Sequence, residues 1–186
     1  YFDMLADTLR LNIANGQLLS LSTAMIGAGF TRQAAGSPTF APGKPFQWAQ
    51  FSGSLGGVGI LDIRNLQLEF NNRLEARHTL QNCRTPYRIK RTGPQLVELS
   101  GTLEFAQHSY WDALLDQSEI PFIAHFTGAE SPTSLKIDVP AFRFKTFEPV
   151  IAGPGIVEAV FTAQGVFHTG SNTALEITLE NTKEFY

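Results

Sequence analysis

The residue types that most often carry chemistry in proteins are few and scattered in this chain of 186 residues. Its thiol and imidazole groups are those of Cys83, His78, His108, His125 and His168. No two of the histidines have the spacing of zinc ligands, and neither a Cys-x-x-Cys nor a His-Glu-x-x-His motif occurs. The sequence therefore predicts no metal site, and its single cysteine allows no disulfide within the chain.

Motifs for nucleotide binding and nucleophilic catalysis are also incomplete. Gly27-Ala28-Gly29 begins like a dinucleotide-binding loop, but the next glycine is Gly36 and no β-α-β pattern surrounds it. No Gly-x-Ser-x-Gly elbow is present, and no base is predictably adjacent to Cys83. We therefore expect neither enzymatic activity nor a cofactor.

Composition points to a β-rich chain with many turns. Hydrophobic residues make up 43% and charged residues only 17%, with 15 phenylalanines and 16 glycines. The formal net charge of −3 argues against nucleic-acid binding through a basic face. No apolar run approaches the roughly 18 residues of a membrane span. The low charge fraction is typical of a chain that buries much of its surface against copies of itself.

Charge is distributed unevenly along the chain. Residues 62–91 contain seven Arg or Lys and three acids, whereas residues 98–119 contain five acids and neither Arg nor Lys. One interpretation is that both segments are solvated faces with scattered cross-strand ion pairs. The other is self-association, in which a basic edge of one copy meets an acidic edge of the next.

The elements needed to position these residues are mainly strands. Asn15-Gly16 predicts a hairpin, and a phase slip at Asn65 predicts a β-bulge in a long strand over residues 60–80. Apolar and polar residues alternate strictly from Val97 to Phe105. Residues 107–117 predict one short helix, and Pro140 predicts a sheet edge or a bulge. With nine or ten strands and one helix, the chain is expected to form a sandwich or a barrel, with the helix over one open face or end of the sheet.

Residues 27–59 differ from the rest of the chain. They hold eight of the glycines and three prolines but only two charges, Arg32 and Lys44. Their aromatic residues are Phe30, Phe40, Phe46, Trp48 and Phe51. A long loop in a compact domain is usually functional. This one is predicted either to pack on its own domain or to form an arm that docks on a neighbouring subunit.

Five segments follow one another in a characteristic order over about residues 8 to 165. They are Thr8-Leu9-Arg10-Leu11-Asn12-Ile13-Ala14-Asn15-Gly16 before a strand and the glycine-rich stretch, Phe70-Asn71-Asn72-Arg73-Leu74-Glu75 at the end of a strand, Ser100-Gly101-Thr102-Leu103-Glu104-Phe105 before the helix with Tyr110 and Trp111, Leu135-Lys136-Ile137-Asp138-Val139-Pro140, and Gly153-Pro154-Gly155 before a last strand with Phe161-Thr162-Ala163. In this order, the segments resemble the tail tube proteins of long-tailed bacteriophages.

The resemblance implies a mainly β fold: a β-sandwich or partly closed barrel flanked by one α-helix, in a single domain over residues 1–186. It also implies a long loop at 27–59 and a C-terminal arm or last strand at 170–186. Six copies are expected to form a ring whose inner strands line a channel, and the rings to stack into a tube. The implied partners are other copies of the chain, a tape-measure protein, other tail proteins and double-stranded DNA in transit, with no membrane. The implied location is the phage tail, after assembly in the bacterial cytoplasm.

Two sets of residues are predicted to serve such an assembly. Contacts between subunits or rings are assigned to Phe30, Phe40, Phe46, Trp48, Phe51, Phe185 and Tyr186. Glu69, Glu98 and Glu104 are predicted to face the lumen. Inward lysines would hold the passing duplex by releasing its counterions, whereas carboxylates repel it.

The sequence alone leaves three other functions open. Another ring-forming tail component, such as a tail terminator or a baseplate ring, or a secretion-system tube subunit would share the expected fold. A monomeric ligand-binding β-barrel or carbohydrate-binding module would instead show a pocket lined by Trp48, Trp111 or phenylalanine side chains.

Overall fold

A computed structural model describes residues 2–29, 43–60, 62–80, 85–105, 108–129, 132–151 and 155–181. Within these ranges the chain forms twelve strands, one α-helix and one turn of 3₁₀-helix at Trp48–Gln50. The strands are β1 (Phe2–Ala14), β2 (Ser20–Gly29), β3 (Phe51–Leu55), β4 (Val58–Ile60), β5 (Ile63–Asn71), β6 (Leu74–Arg77), β7 (Arg88–Arg91), β8 (Leu96–Glu104), β9 (Ile120–Thr127), β10 (Ser134–Val150), β11 (Glu158–Gly165) and β12 (Glu176–Glu180), and the helix is α1 (Ser109–Leu115).

Ten of the strands belong to one antiparallel sheet. Its order is β2-β1-β5-β8-β11-β10-β9-β3-β4, and β12 pairs with β10 off this path. The other two strands, β6 and β7, form a separate hairpin. The mainly β fold with one helix is therefore confirmed, and the described sheet is not closed into a barrel.

The strand β10 bends the sheet over itself. Its first part, up to Val139, pairs with β9 and β12, and its second part, from Phe142 to Val150, pairs with β11. The register shifts between Val139 and Phe142, where Pro140 has no N–H to donate to a ladder. The predicted bulge at Pro140 is confirmed, but the alternative of a sheet edge is wrong because β10 is central.

This bend divides the sheet into two halves that face each other. The long half-sheet consists of β2, β1, β5, β8, β11 and residues 142–150 of β10. The short half-sheet consists of β12, residues 134–139 of β10, β9, β3 and β4. Side chains from both halves, including Leu11, Leu66, Phe122, Phe126 and Ile137, line one small internal space.

Phenylalanine fills much of this core. Phe144 lies 5.2 Å from Phe142 and 5.8 Å from Phe161 between ring centroids, in edge-to-face geometry at both contacts. The ring centroid of Phe147 lies 5.6 Å from that of Phe144. Each of these four side chains is at most 2% exposed. Edge-to-face pairs add about 0.5–1.5 kcal/mol each beyond the burial of area.

The helix α1 covers the second part of β10. The rings of Tyr110 and Trp111 lie 6.3 and 6.4 Å from that of Phe147. One helical face therefore closes this end of the core, as its sequence pattern predicts. The helix is shorter than the predicted residues 107–117.

Parts of the predicted long loop at 27–59 are strands in the structure. Residues 27–29 belong to β2, and β3 and β4 form a hairpin in which Gly56 and Gly57 have φ of 62° and 81°. Leu55 is only 2% exposed. The prediction of a loop across 51–59 is wrong because β3 finds a partner in β9, far along the chain.

The phase slip at Asn65 is confirmed as a register shift between β5 and β8. Gly101 of β8 lies beside it. A Cβ atom at Gly101 would stand 2.5 Å from the Asn65 carbonyl oxygen and 3.1 Å from the Phe161 ring. Glycine is thus required by the close approach of a neighbouring backbone.

We predict that Gly101→Ala lowers the free energy of unfolding by about 1–3 kcal/mol, because backbone and core must shift to admit the methyl group. The matched control is Gly59→Ala in β4, where a Cβ would meet nothing within 4 Å. Urea denaturation should show a large decrease for the first variant and almost none for the second. Equal effects would contradict the steric explanation.

A second prediction concerns Tyr110. Burial, and after it the charge of Asp62, raises the pKa of its hydroxyl above the ordinary value of 10.0. Because the unfolded chain releases this proton at lower pH than the folded one, the stabilisation is complete below pH 10 and is lost as the pH rises through the folded pKa. The melting temperature, measured as the pH is raised through the alkaline range, should therefore fall less steeply for Tyr110→Phe than for the wild type.

Candidate assembly surface

The outward face of the long half-sheet is mostly polar. In β8, Val97, Leu99 and Leu103 point into the core, so Glu98 and Glu104 occupy the opposite face. The cross-strand register extends this face in a row of polar side chains. The row runs through Ser20, Asn12, Gln67, Ser100, Thr162 and Thr146. Core and surface therefore separate by simple strand alternation.

Two of the predicted lumen residues face each other on this surface. Glu69 of β5 stands directly opposite Glu98 of β8. Arg10 of β1 binds Glu69 through both carboxylate oxygens, at 2.9 and 3.0 Å, and Lys145 Nζ lies 2.7 Å from Glu98. The hydrogen bond to Glu69 and its charge raise the pKa of Arg10. Each carboxylate thus has its own cation, and these two cations relieve the repulsion between the acids.

The third predicted lumen residue, Glu104, belongs to a similar group at the end of the sheet. Glu158 of β11 stands directly opposite it. Arg64 lies between them, with one guanidinium nitrogen 2.6 Å from Glu158 and the other 3.7 Å from Glu104. The three predicted glutamates therefore share one face, but this face carries charges of both signs.

No motif predicts Arg10, Arg64 or Lys145 as parts of this surface. The signal for Arg10 is alternation, since it lies between Leu9 and Leu11 in a strand. Its partner Glu69 is 59 residues away, so the pairing itself depends on the strand order.

Within the described residues, both lateral edges of the long half-sheet are unpaired. β2 pairs with β1 on one side, and no other described strand pairs with its free side. Pairing of β10 with β9 ends at Phe142, so residues 143–150 pair only with β11 within the described residues. Unpaired N–H and C=O groups at such edges can accept a further strand.

The aromatic contact residues predicted from the glycine-rich stretch fall into two groups. Phe46 and Phe51 pack against Phe126 of the same chain, with ring centroids 6.1 and 5.4 Å away. Trp48 is 48% exposed and lines an open groove of about 480 Å³ with Ile13 and Arg64. The remaining predicted contact residues, Phe30, Phe40, Phe185 and Tyr186, lie outside the described residues.

Exposed apolar side chains lie at the far end of β1 and β2. Pairing of β1 with β5 begins at Thr8, and among the described strands the residues before it form a ladder only with the end of β2. Met4, Leu5 and Met25 are 42%, 49% and 53% exposed there. An open groove separates this part from the β6–β7 hairpin near Tyr87. This end of the molecule therefore offers apolar area for contact.

Two of the histidines have defined side-chain contacts. His108 packs edge-on against Phe105, and His168 Nδ1 lies 3.1 Å from the Ser171 hydroxyl. In the part of the chain that the structure describes, no three His, Cys, Asp or Glu residues are grouped to hold a metal ion. Among the same residues, no helix is long and apolar enough to cross a membrane.

Comparison with known protein families identifies a family model that matches most of the chain. A family model described as phage tail tube protein matches residues 1–165. No curated protein sequence matches the chain. Among solved structures, the SPP1 tail tube determined by solid-state NMR and cryo EM is similar at 15% sequence identity, with a TM-score of 0.36 over 85% of this chain and 72% of that chain.

The ion pairs of the polar face give a testable prediction. Replacing Arg10 by Gln leaves Glu69 facing Glu98 with less compensation, so stability should fall at low salt and recover at high salt. The double variant Arg10→Gln with Glu69→Gln removes the repulsion as well, and should be close to the wild type at both salt concentrations. Urea denaturation of the three proteins measures this, and an additive effect of the two substitutions would contradict it.

Proposed function

The chain belongs to the phage tail tube protein family, and on that premise we propose that it forms hexameric rings that stack into the tube of a phage tail. The family match covers residues 1–165 and establishes a structural role in the tail tube of a virion. Ring formation, stacking and passage of DNA are the proposed steps. No catalytic step enters this function.

The observation that carries the proposal is the pair of free edges on the long half-sheet. β2 and residues 143–150 of β10 are the two outer segments of this half-sheet, and they run in opposite directions. Rotation about a ring axis keeps each strand's direction along the axis. The β2 edge of one copy therefore meets the β10 edge of the next in antiparallel orientation.

Their lengths also agree. β2 has ten residues, and β10 offers eight in the unpaired segment 143–150. A contact between two different edges that closes by rotation gives a ring. Each junction buries two edges that would otherwise favour aggregation. We infer that six half-sheets join in this way into one continuous barrel.

The polar face of this barrel suits a conduit for DNA. Its cations Arg10, Arg64, Arg143 and Lys145 each lie within 4.0 Å of a carboxylate. A cation already paired gains less from a phosphate, so the wall should release few counterions and hold the duplex weakly. We infer that Glu69, Glu98 and Glu104 face the lumen as members of these pairs.

We assign the contacts between rings, and those with other tail proteins, to the residues predicted to form inter-subunit contacts. Trp48 is exposed at the sheet end near the β1–β2 turn, where Leu18 bridges Gln47. We propose that it contacts a neighbour together with Phe30, Phe40, Phe185 and Tyr186. Phe46 and Phe51 support this region from inside by packing on Phe126. A tape-measure protein in the lumen, and assembly in the host cytoplasm, belong to the same proposal.

Two adjacent proline substitutions test the edge junction. Successive N–H groups of a strand point to opposite sides, so one of Ser22→Pro and Thr23→Pro removes a bond to β1 and the other removes one at the free edge. The variant that loses a bond to β1 should be less stable than the wild type. The variant that loses a donor at the free edge should keep its fold, and the protein concentration at which half of it assembles should rise by about tenfold or more.

Thermal melting identifies which variant is which, and native mass spectrometry with negative-stain microscopy measures rings and tubes. Wild-type tubes of stacked hexamers support the proposal. Single discs from the wild type would favour a tail terminator or baseplate ring, and a persistent monomer would favour a ligand-binding module. Normal rings from the stable proline variant would contradict the β2 junction.

A further inference from the structure

The β6–β7 hairpin forms a basic projection at one end of the long half-sheet. It follows β5 closely, and together with the preceding Arg73 it carries exposed arginine or lysine at five positions but only one acid, Glu75. The five cations are Arg73, Arg77, Arg88, Lys90 and Arg91. Among the described residues, none of them has a carboxylate within 4.0 Å.

The register of the hairpin places two of these cations against each other. Arg77 stands directly opposite Arg88, while Glu75 stands opposite Lys90. Like charges directly opposite in an antiparallel pair are destabilising. Arg88 lies over the Tyr87 ring at 5.7 Å, which adds a cation–π contact but no counter-charge. Two aspartates of the adjoining β1, Asp3 and Asp7, do not pair with the hairpin cations, and Asp7 instead accepts the Leu74 N–H at 2.7 Å.

The opposite end of the same half-sheet carries the opposite sign. We call Asp62, Glu104, Glu148 and Glu158 the acidic rim. Glu104 and Glu158 are a like-charge pair that shares the single cation Arg64. Asp62 and Glu148 are exposed, and neither has a basic partner among the described residues. The eight steps of β5 separate the two ends by roughly 26 Å at about 3.3 Å per residue.

We propose that the β6–β7 hairpin of each subunit binds the acidic rim of a subunit in the next ring. This inference rests on the proposed function and assigns its stacking contact. The hairpin holds a like-charge pair, Arg77 and Arg88, that is unfavourable in the isolated subunit. The rim supplies the compensating sign through Asp62 and Glu148, which have no basic partner among the described residues. Hairpin against hairpin and rim against rim both repel. The charges therefore enforce head-to-tail stacking and give the tube one polarity.

A second copy fits the hairpin better than nucleic acid does. The chain presents a complementary acidic surface at the correct end, and its overall net charge is −3. Stacking of identical subunits brings these two surfaces together at every layer. Duplex DNA would instead meet a short hairpin that carries Glu75 among its cations.

Charge reversal at both ends tests the proposal. Arg77→Glu with Arg88→Glu should leave rings intact and reduce sedimentable tubes by about tenfold or more. Arg77→Lys with Arg88→Lys keeps the charge and should stack normally. Asp62→Lys with Glu148→Lys, which leaves the Arg64 group untouched, should also block stacking. The chain with all four reversals should recover tubes.

The readouts separate failure of stacking from failure of the ring. Native mass spectrometry reports rings, sedimentation and negative-stain microscopy report tubes, and thermal melting reports the fold. Should a reversed variant not fold, wild-type tubes titrated with salt supply the test, because stacking should weaken as charges are screened. Salt-insensitive tubes would overturn the proposal.

Two further outcomes distinguish the competing explanations. Normal tubes from the Arg77→Glu, Arg88→Glu protein would overturn the stacking contact while leaving the tube function in place. If that protein forms tubes but no longer binds a labelled DNA duplex that the wild type binds, the hairpin is a nucleic-acid contact instead. A wild type that forms neither rings nor tubes contradicts the proposed function itself.

Discussion

The described fold depends on one strand that changes partners. β10 pairs with β9 and β12 before Pro140, keeps a last pairing with β9 at Phe142, and pairs with β11 from there on, so a single chain segment belongs to both layers. Proline at the change of partners removes a donor where no ladder could use it. The buried rings of Phe142 and Phe144 follow at once and fill the space between the layers. The same departure from β9 leaves residues 143–150 with an unpaired side, which is the edge that the proposed ring requires.

Alternation then gives the long half-sheet two chemically different faces. Apolar side chains close the core, and the opposite face carries amides, hydroxyls and ion pairs such as Arg10 with Glu69. A face of unpaired carboxylates would strain the sheet, since Glu69 and Glu98 are cross-strand neighbours. Pairing each with a cation resolves the strain within the subunit. The wall that the proposed tube would present to DNA can thus be weakly adhesive without being uniformly acidic.

Features that depend on local sequence could be predicted, and those that depend on distant partners could not. The bulges at Asn65 and Pro140 and the single helix follow from spacing and from proline chemistry within a few residues. The β3–β4 hairpin could not be predicted from its glycine-rich sequence, because β3 pairs with the distant strand β9, where Ser52 stands opposite His125. The acids of the polar face could be placed by alternation. Their cations, and the opposition of Arg77 to Arg88, needed the register.

The strand order also sets a sequence of events during synthesis. Within the long half-sheet, β11 lies between β8 and β10, although it is made after both. Residues 142–150 can join that half-sheet only through β11, so it is complete only once residue 165 has left the ribosome. A nascent chain therefore displays the β2 edge long before it holds a matching β10 edge. In the proposed ring, a chain that has not yet folded β11 can therefore offer only its β2 edge, and it cannot join neighbours on both sides.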